Sequence, residues 1–201
     1  MLEFARSVAG SFLAPRLATR RLLDQGHGAD VTILLFLLSF LITSIFLVAF
    51  GERPEAGSAL GAHGGRLLSY GAQYVFLAFL IGKLGRLSGG TGTQPETFLA
   101  LAWYLVVSSF LAPFFIRFLS SWNVAMEQMQ ADPPVDPNDI QINGLALAMF
   151  ATMYSLWLLA NVVAELHRFQ NIWGVIGVII GVPVAFAMVA MSVMGALAVA
   201  P

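Results

Sequence analysis

The sequence predicts an all-α fold, a polytopic transmembrane helix bundle with five spans. Of the 201 residues, 58% are apolar and only 10% are charged, whereas soluble domains carry about a quarter charged residues. Five apolar stretches are also long enough to cross a hydrocarbon core, which takes about 20 residues of helix. Because lipid offers backbone groups no water partners, each of these stretches must be helical.

The predicted spans differ in what interrupts them. The first has no charge, the second ends near Lys83, and the third carries Arg117 close to its end. Proline removes a backbone donor from a helix, so Pro113 and Pro183 predict kinks in the third and fifth spans. Such kinks shape packing more often than they form a hinge. The spans cover residues 31–50, 67–84, 97–122, 144–164 and 172–200, within a transmembrane domain of residues 31–201.

Two local signals precede the third span. Thr93 followed by Glu96 is the pattern of a capping box, and Pro95 suits the first turn of a helix. Before them, Gly89-Gly90-Thr91-Gly92 predicts a flexible turn. A nucleotide-binding loop is disfavoured there, because no Gly-Lys-Ser/Thr follows.

Residues 1–30 are predicted to form an amphipathic interfacial segment on the cytoplasmic side. One face of its first helix collects Ala5, Val8, Ala9, Phe12 and Leu13. A second short helix begins at Pro15 and carries three arginines, which suit contact with lipid headgroups or with a partner protein. Alternatively, the two helices only cap the end of the bundle, and both interpretations can hold. The three arginines are Arg16, Arg20 and Arg21.

The distribution of lysine and arginine predicts the orientation. Seven of the ten basic residues fall on the side of the N-terminus and three on the other side. Since cytoplasmic loops carry the excess of basic residues, the N-terminus is expected in the cytoplasm and the C-terminus outside. The expected location is a bacterial inner membrane.

Polar residues collect at the end of the fourth span. Glu165 is expected to hydrogen-bond Asn161, four residues earlier, or to pair with Arg168, three residues later. His167 projects elsewhere, towards a lipid phosphate or another loop. The favoured interpretation is a structural lock on the short fourth loop, and the alternative is a transport path. A path would need further polar residues deeper in the bilayer. No acid lies mid-span, and the candidates are Gln73, Ser108, Ser109 and Asn161.

The fifth span carries small residues four apart, namely Gly177, Gly181 and Ala185. This small-xxx-small spacing lets two helices approach closely. Packing within the bundle is the favoured interpretation. The alternatives are self-association and docking on a larger membrane complex.

Composition also argues against several kinds of function. The chain has no cysteine, and its three histidines are spread over separate loops, so we expect no catalytic residue, no metal and no cofactor. A methionine stripe in the fifth span lacks histidine or cysteine partners and is better explained by packing than by copper binding. The net charge of −1 argues against a nucleic-acid partner.

Three short patches lie at the edges of the predicted spans. They are Arg20-Arg21-Leu22-Leu23 within the stretch from Pro15, then Gly89-Gly90-Thr91-Gly92 with Glu96, Leu99, Ala100 and Trp103, and finally Ala164-Glu165-Leu166-His167-Arg168-Phe169. With the number and spacing of spans, they resemble the bacterial branch of the Yip domain family, five-span relatives of the Ypt/Rab-interacting membrane proteins. The resemblance implies a five-helix bundle with a cytoplasmic N-terminus. In eukaryotic members it also implies binding of prenylated small GTPases. The chain lacks the Asp-Leu-Tyr-Gly-Pro signature and the long tail of those members, so small-GTPase binding is not supported.

Two functional hypotheses follow. The first is a non-enzymatic scaffold or accessory membrane protein that binds lipids or partner membrane proteins and affects membrane organisation or complex assembly. The second is a small transporter or channel that uses the polar cluster at the end of span four. A wet cavity reaching Glu165 or Gln73 favours transport, whereas a dry and close-packed core argues against it.

Overall fold

The computed structural model describes residues 2–50, 59–130 and 144–181, and this part of the chain is helical without a strand. Two short helices precede the longer ones, and the last helix is described over ten residues. The helices are α1 (Leu2–Leu13), α2 (Pro15–Asp24), α3 (Ala29–Phe50), α4 (Ala59–Leu87), α5 (Gln94–Ser109), α6 (Ala112–Gln130), α7 (Leu145–Leu166) and α8 (Ile172–Gly181).

Three of these helices are long and apolar enough to cross a membrane: α3, the part of α4 from Gly64 to Leu87, and α7. A fourth span results if α5 and α6 are taken as one bent span. The predicted all-α membrane bundle is therefore confirmed, but the predicted number of five spans is not. The fifth span was predicted over 172–200, and its residues beyond Gly181, including Pro183 and Ala185, lie outside the described residues.

Span boundaries also differ from the prediction. The helix of the second span begins at Ala59 and ends at Leu87, beyond both limits of the predicted 67–84. Hydropathy marks only the apolar part of a helix, and α4 continues into more polar sequence at each end. The helix of the fourth span, Leu145–Leu166, nearly coincides with the predicted 144–164.

The third predicted span is broken in two. α5 and α6 meet at an angle of 61°, and Pro113 lies in the first turn of α6. Because proline has no N–H to donate to Ser109, four residues earlier, the regular hydrogen-bond ladder stops there. Hydrogen bonds between residues three apart replace it, from the Phe110 N–H to the Val107 carbonyl and from the Leu111 N–H to the Ser108 carbonyl. The kink predicted from Pro113 is confirmed and is sharp enough to divide the span.

The start of α5 follows the sequence signal closely. Thr93 is the N-cap residue, its hydroxyl accepts from the Glu96 N–H, and the Glu96 carboxylate accepts from the Thr93 N–H at 2.7 Å. This reciprocal capping box satisfies two backbone donors that the first turn leaves without partners. It also fixes the point at which the glycine-containing turn ends and α5 begins.

α5 is the central helix, and it contacts α1, α2, α3, α4 and α7. Its apolar residues are buried on several faces, so two core clusters form on its opposite sides. One cluster joins it to α1, α3 and α7, and the other joins it to α4, α7 and α8. The buried α5 residues in these clusters are Leu99, Leu101, Ala102, Trp103, Val106 and Val107.

The N-terminal helices pack against this bundle. Val8 of α1 is buried in the cluster around Trp103, and the indole N–H of Trp103 donates to the Ser11 hydroxyl at 3.0 Å. The apolar face predicted for α1 is only partly used, since Leu13 is 86% exposed. Packing against Trp103 rotates the polar Ser11 inward, because the indole N–H needs a partner in the core.

Candidate functional site

The polar residues at the end of α7 are paired with α2. The Arg20 guanidinium contacts the Glu165 carboxylate at 2.6 Å, and Arg16 donates to the Asn161 side-chain oxygen at 3.2 Å. Within α7, Asn161 donates to the Trp157 carbonyl. Glu165 was predicted to bind Asn161 or Arg168, and this was wrong. The packing of α2 against α7 instead places Arg20 on Glu165 and Arg16 on Asn161.

The turn between α4 and α5 lies against the same end of α7. A Cβ atom at Gly90 would approach the His167 side chain to 2.6 Å, and one at Gly92 would approach Leu166 to 2.8 Å. At Gly85, the last turn of α4 passes so close to the His167 ring that a methyl group would overlap it. The N–H of Thr91 donates to the His167 carbonyl. The glycines therefore allow the turn and the end of α4 to approach His167 and Leu166 closely.

The three sequence patches thus meet in one place, which we call the junction: α2, the turn at residues 88–93, and residues 161–171 at the end of α7. In the sequence, neighbouring segments of the junction are more than 60 residues apart. The arginines of α2 and the glycines of the turn both contact the Glu165–Phe169 stretch. The junction combines an ion pair with buried polar contacts, and we take it as the candidate functional site.

His167 is buried in the junction. Its side chain is 1% exposed, and neither ring nitrogen has a hydrogen-bond partner among the described residues. Burial lowers the pKa of His167 and Arg86 lowers it further, while the Ile81 carbonyl and Glu96 act in the opposite direction. Of the two contacts considered for His167, a lipid phosphate or another loop, the structure places the ring against the glycine turn.

Lowering the pH is expected to destabilise the fold through His167. The pKa of the unfolded histidine is near 6.5 and that of the folded one is lower, so above 6.5 both states are neutral and stability does not change. Below 6.5 the unfolded chain binds a proton that the folded chain does not, and stability falls by at most about 1.4 kcal/mol per pH unit. Thermal unfolding at pH 7.5 and pH 5 measures this loss. The His167→Asn variant should lose less, and an equal loss in both proteins would contradict the assignment.

α7 ends in a Schellman motif with an unusual residue. The Phe169 N–H donates to the Ala164 carbonyl at 2.7 Å and the Arg168 N–H donates to the Glu165 carbonyl at 3.2 Å. The residue in left-handed conformation is Arg168, with φ of 57°. Glycine is usual at this position, and a side chain there costs about 1–2 kcal/mol. The arginine therefore occupies a position where glycine would be less strained.

A polar cavity of about 580 Å³ opens at the junction. Its volume lies within the range of small-molecule sites, roughly 300–1,000 Å³. α2, the turn after α4 and the end of α7 all contribute to its walls. The charged side chains that line it are Arg16, Arg20, Asp24, Glu96, Glu165 and Arg168.

The other predicted site residues lie elsewhere. Arg21 is exposed and lines a separate cleft between α1, α2 and α3. Gly177 and Gly181 face open space, because no described atom lies within 4 Å of a Cβ built at either residue. The packing face that they were predicted to form with Ala185 therefore makes no contact within the described residues, and its role stays a prediction.

Sequence reasoning missed three residues that hold this end of the bundle together: Trp103, Ser11 and Gly85. Trp103 belongs to one of the patches, and a tryptophan within an apolar helix predicts a hydrogen-bond partner for its N–H. A glycine inside a helix, such as Gly85, indicates a close approach by another segment. Neither signal names the partner, which lies far away in the sequence.

Comparison with known proteins agrees with the architecture. A family model described as the Yip1 domain matches residues 9–194 of the chain. Comparisons with curated proteins and with solved structures gave no significant match. Together with the apolar helices, the family match indicates an integral membrane protein. The resemblance inferred from the three patches is confirmed at the level of the family, and the chain belongs to the Yip1 domain family.

Proposed function

We propose that this protein is a non-enzymatic scaffold or accessory protein of the Yip type in a bacterial inner membrane. In this proposal the junction faces the cytoplasm, binds lipids or partner membrane proteins, and affects membrane organisation or complex assembly. The observation that carries the proposal is the ion pair between Arg20 and Glu165 beside an open polar cavity. The ion pair fixes the position of the Arg20 side chain, and the cavity leaves that side chain accessible to a binding partner.

The exposure of the two partners supports a binding role. The side chain of Glu165 is 10% exposed, whereas that of Arg20 is 64% exposed. The nearly buried carboxylate therefore holds the guanidinium in place, while most of the Arg20 side chain remains exposed. An ion pair with one exposed partner adds little stability. The main consequence of this pair is therefore that it fixes the position of Arg20.

The distribution of basic residues supports the proposed orientation. Gly85 contacts His167, so the end of α4 that carries Lys83 and Arg86 lies at the junction with the arginines of α2. Arg66 lies roughly 28 Å farther along α4, at 1.5 Å of rise per residue. Basic residues concentrated at one end of a bundle favour the cytoplasmic side for that end.

Transport is the second candidate, and one observation favours it: the polar cavity reaches Glu165. Deeper along α7, however, the residues from Leu158 to Val163 are buried, and all but Asn161 are apolar. Gln73 lines a different cleft, next to Arg66 and Tyr70. Within the described residues, the cavity opens at the junction, and no polar residues connect it to Gln73.

Purification in mild detergent tests the proposal. Lipids and proteins that co-purify with the full-length protein are quantified by mass spectrometry for the unmodified chain and for Arg20→Gln and Glu165→Gln. We expect specific species to fall several-fold in both variants, because each variant removes the charge that positions the other. Arg66→Gln is the matched control, since it removes the same charge at the far end of α4. Identical profiles for all four proteins would contradict a binding role of the junction.

A flux assay separates the two candidates. The purified protein is reconstituted in vesicles, and the movement of protons and small ions is followed. The scaffold proposal expects the same flux as in empty vesicles. Flux that depends on Glu165 would support the transporter instead.

A further inference from the structure

The polar cavity at the junction has charges of both signs. Three arginines and three carboxylates line it, so it has no net excess of either charge. Two of these groups, Asp24 and Arg168, make no hydrogen bond or ion pair with any other described residue. A ligand that carries both a negative and a positive group would satisfy both of them.

An apolar groove adjoins this cavity. It lies between α4, α7 and α8, has a volume of about 430 Å³, and shares Phe169 and Gln170 with the walls of the polar cavity. The groove therefore lies next to the charged site, and Phe169 and Gln170 border both. Among its apolar lining residues are Leu77, Leu84, Leu159, Val163, Val175 and Val178.

We propose that the cavity and the groove together bind one phospholipid with a primary-amine headgroup. The phosphate contacts Arg168 and Arg16, the ammonium contacts Asp24 and Glu96, and one acyl chain lies in the groove. This inference rests on the proposed function and names the lipid class of the same site. A soluble zwitterion would fill only the polar part, whereas a phospholipid matches both parts and their order from the end of the bundle towards its centre.

The conformation of Arg168 supports a ligand at this place. Its left-handed backbone, with φ of 57°, would be less strained in glycine. Strain of this kind is typical of binding sites, where the side chain is needed more than the stability. Because the guanidinium of Arg168 has no partner among the described residues, a phosphate is the group best suited to satisfy it.

The balance of charge supports an amine over a purely anionic headgroup. A lipid such as phosphatidylglycerol would satisfy the arginines but leave Asp24 without a partner, since Glu165 pairs with Arg20 and Glu96 accepts from Thr93. An ammonium group instead complements Asp24 at the rim of the cavity. A primary amine also donates hydrogen bonds to carboxylates.

Native mass spectrometry of the full-length protein in mild detergent tests this proposal. Phosphatidylethanolamine and phosphatidylglycerol with the same acyl chains are titrated separately. We expect one bound phosphatidylethanolamine, with an affinity about tenfold above that for phosphatidylglycerol, since one charged hydrogen bond lost or gained corresponds to about this factor. Asp24→Asn is expected to bring the two affinities close together. Equal affinities in the unmodified protein would overturn the proposal.

Arg168→Gly separates binding from folding. The substitution relieves the backbone strain, so we expect a higher apparent Tm together with a roughly tenfold loss of phosphatidylethanolamine affinity. A purely structural arginine would lower Tm and leave lipid affinity unchanged, and this result would overturn the assignment. Arg66→Gln, outside the site, should change neither quantity.

The groove has its own test. Val178→Trp fills the groove, since Val178 lines it and is 47% exposed, and should weaken phosphatidylethanolamine binding about tenfold. The matched control is Val124→Trp on α6, where the valine is 49% exposed and away from the groove. Equal binding in the two variants would overturn the acyl-chain position. If lipid binding fails these tests while co-purifying proteins still depend on Arg20 and Glu165, the lipid inference is wrong and the scaffold proposal stands.

Discussion

Gly85→Ala is expected to lower the unfolding temperature of this protein strongly. The new methyl group would overlap the His167 ring, and that ring is 1% exposed and has little room to move. Overpacking of this kind costs about 1–3 kcal/mol. We expect a loss at the upper end, because the glycine turn blocks the ring on its other side. Helix propensity alone would favour alanine by roughly 0.5–1 kcal/mol, so the sign of the change separates the two effects.

The measurement is the apparent Tm in detergent at a fixed heating rate. Gly65→Ala is the matched control on the same helix, because a Cβ there meets nothing within 4 Å, and it should be neutral or slightly stabilising. The double variant Gly85→Ala/His167→Ala should recover part of the loss, since removal of the ring makes room for the methyl group. If Gly85→Ala and Gly65→Ala unfold at the same temperature, the close contact between α4 and His167 does not exist.

Trp103→Ala is expected to have the largest effect at the N-terminal helices. Trp103 is 6% exposed, and its ring meets Phe4 edge-on with 6.0 Å between ring centroids. Its indole N–H donates to Ser11 within the core. Truncation of a buried tryptophan typically costs 3–5 kcal/mol. Because Val8 and Phe12 pack in the same cluster, α1 should detach from the bundle before the other helices unfold.

Limited trypsin digestion detects this release. Arg6 lies on α1, and cleavage after it should become several-fold faster in Trp103→Ala. Trp103→Phe keeps most of the ring and should lose only about 1 kcal/mol, the value of the hydrogen bond to Ser11. Trp173→Ala removes a side chain that is 75% exposed and is the control, expected within about 0.5 kcal/mol of the unmodified protein. Equal digestion of Trp103→Ala and Trp173→Ala would argue against docking of α1 on Trp103.

The sequence predicted correctly those features that depend on interactions between neighbouring residues. The capping box of Thr93 and Glu96 involves residues three apart, and the kink at Pro113 follows from one missing donor. The first span is predicted from the length of its uncharged apolar stretch alone. In the capping box and at the proline, the interacting groups lie within about one helical turn, so their spacing along the sequence is sufficient to predict them.

The predicted pairing of Glu165 failed because a competing partner came from a distant segment. Neighbours on one helix contribute only about 0.2–0.5 kcal/mol per pair, so the docking of α2 easily replaces them with Arg20 and Arg16. The role of the glycines was missed for a similar reason. Gly85 and Gly90 are useful only because His167, more than 70 residues later, lies against them.

By itself the sequence determined that this chain is a helical membrane protein, since apolar length and the scarcity of charge act on each segment independently. It also indicated the family through three short patches. Only the tertiary structure decided that these patches form one junction, with an ion pair, a strained arginine and a polar cavity beside an apolar groove. Which side chains meet across helices depends on packing of the whole bundle. The spacing of residues along one segment contains no information about that packing.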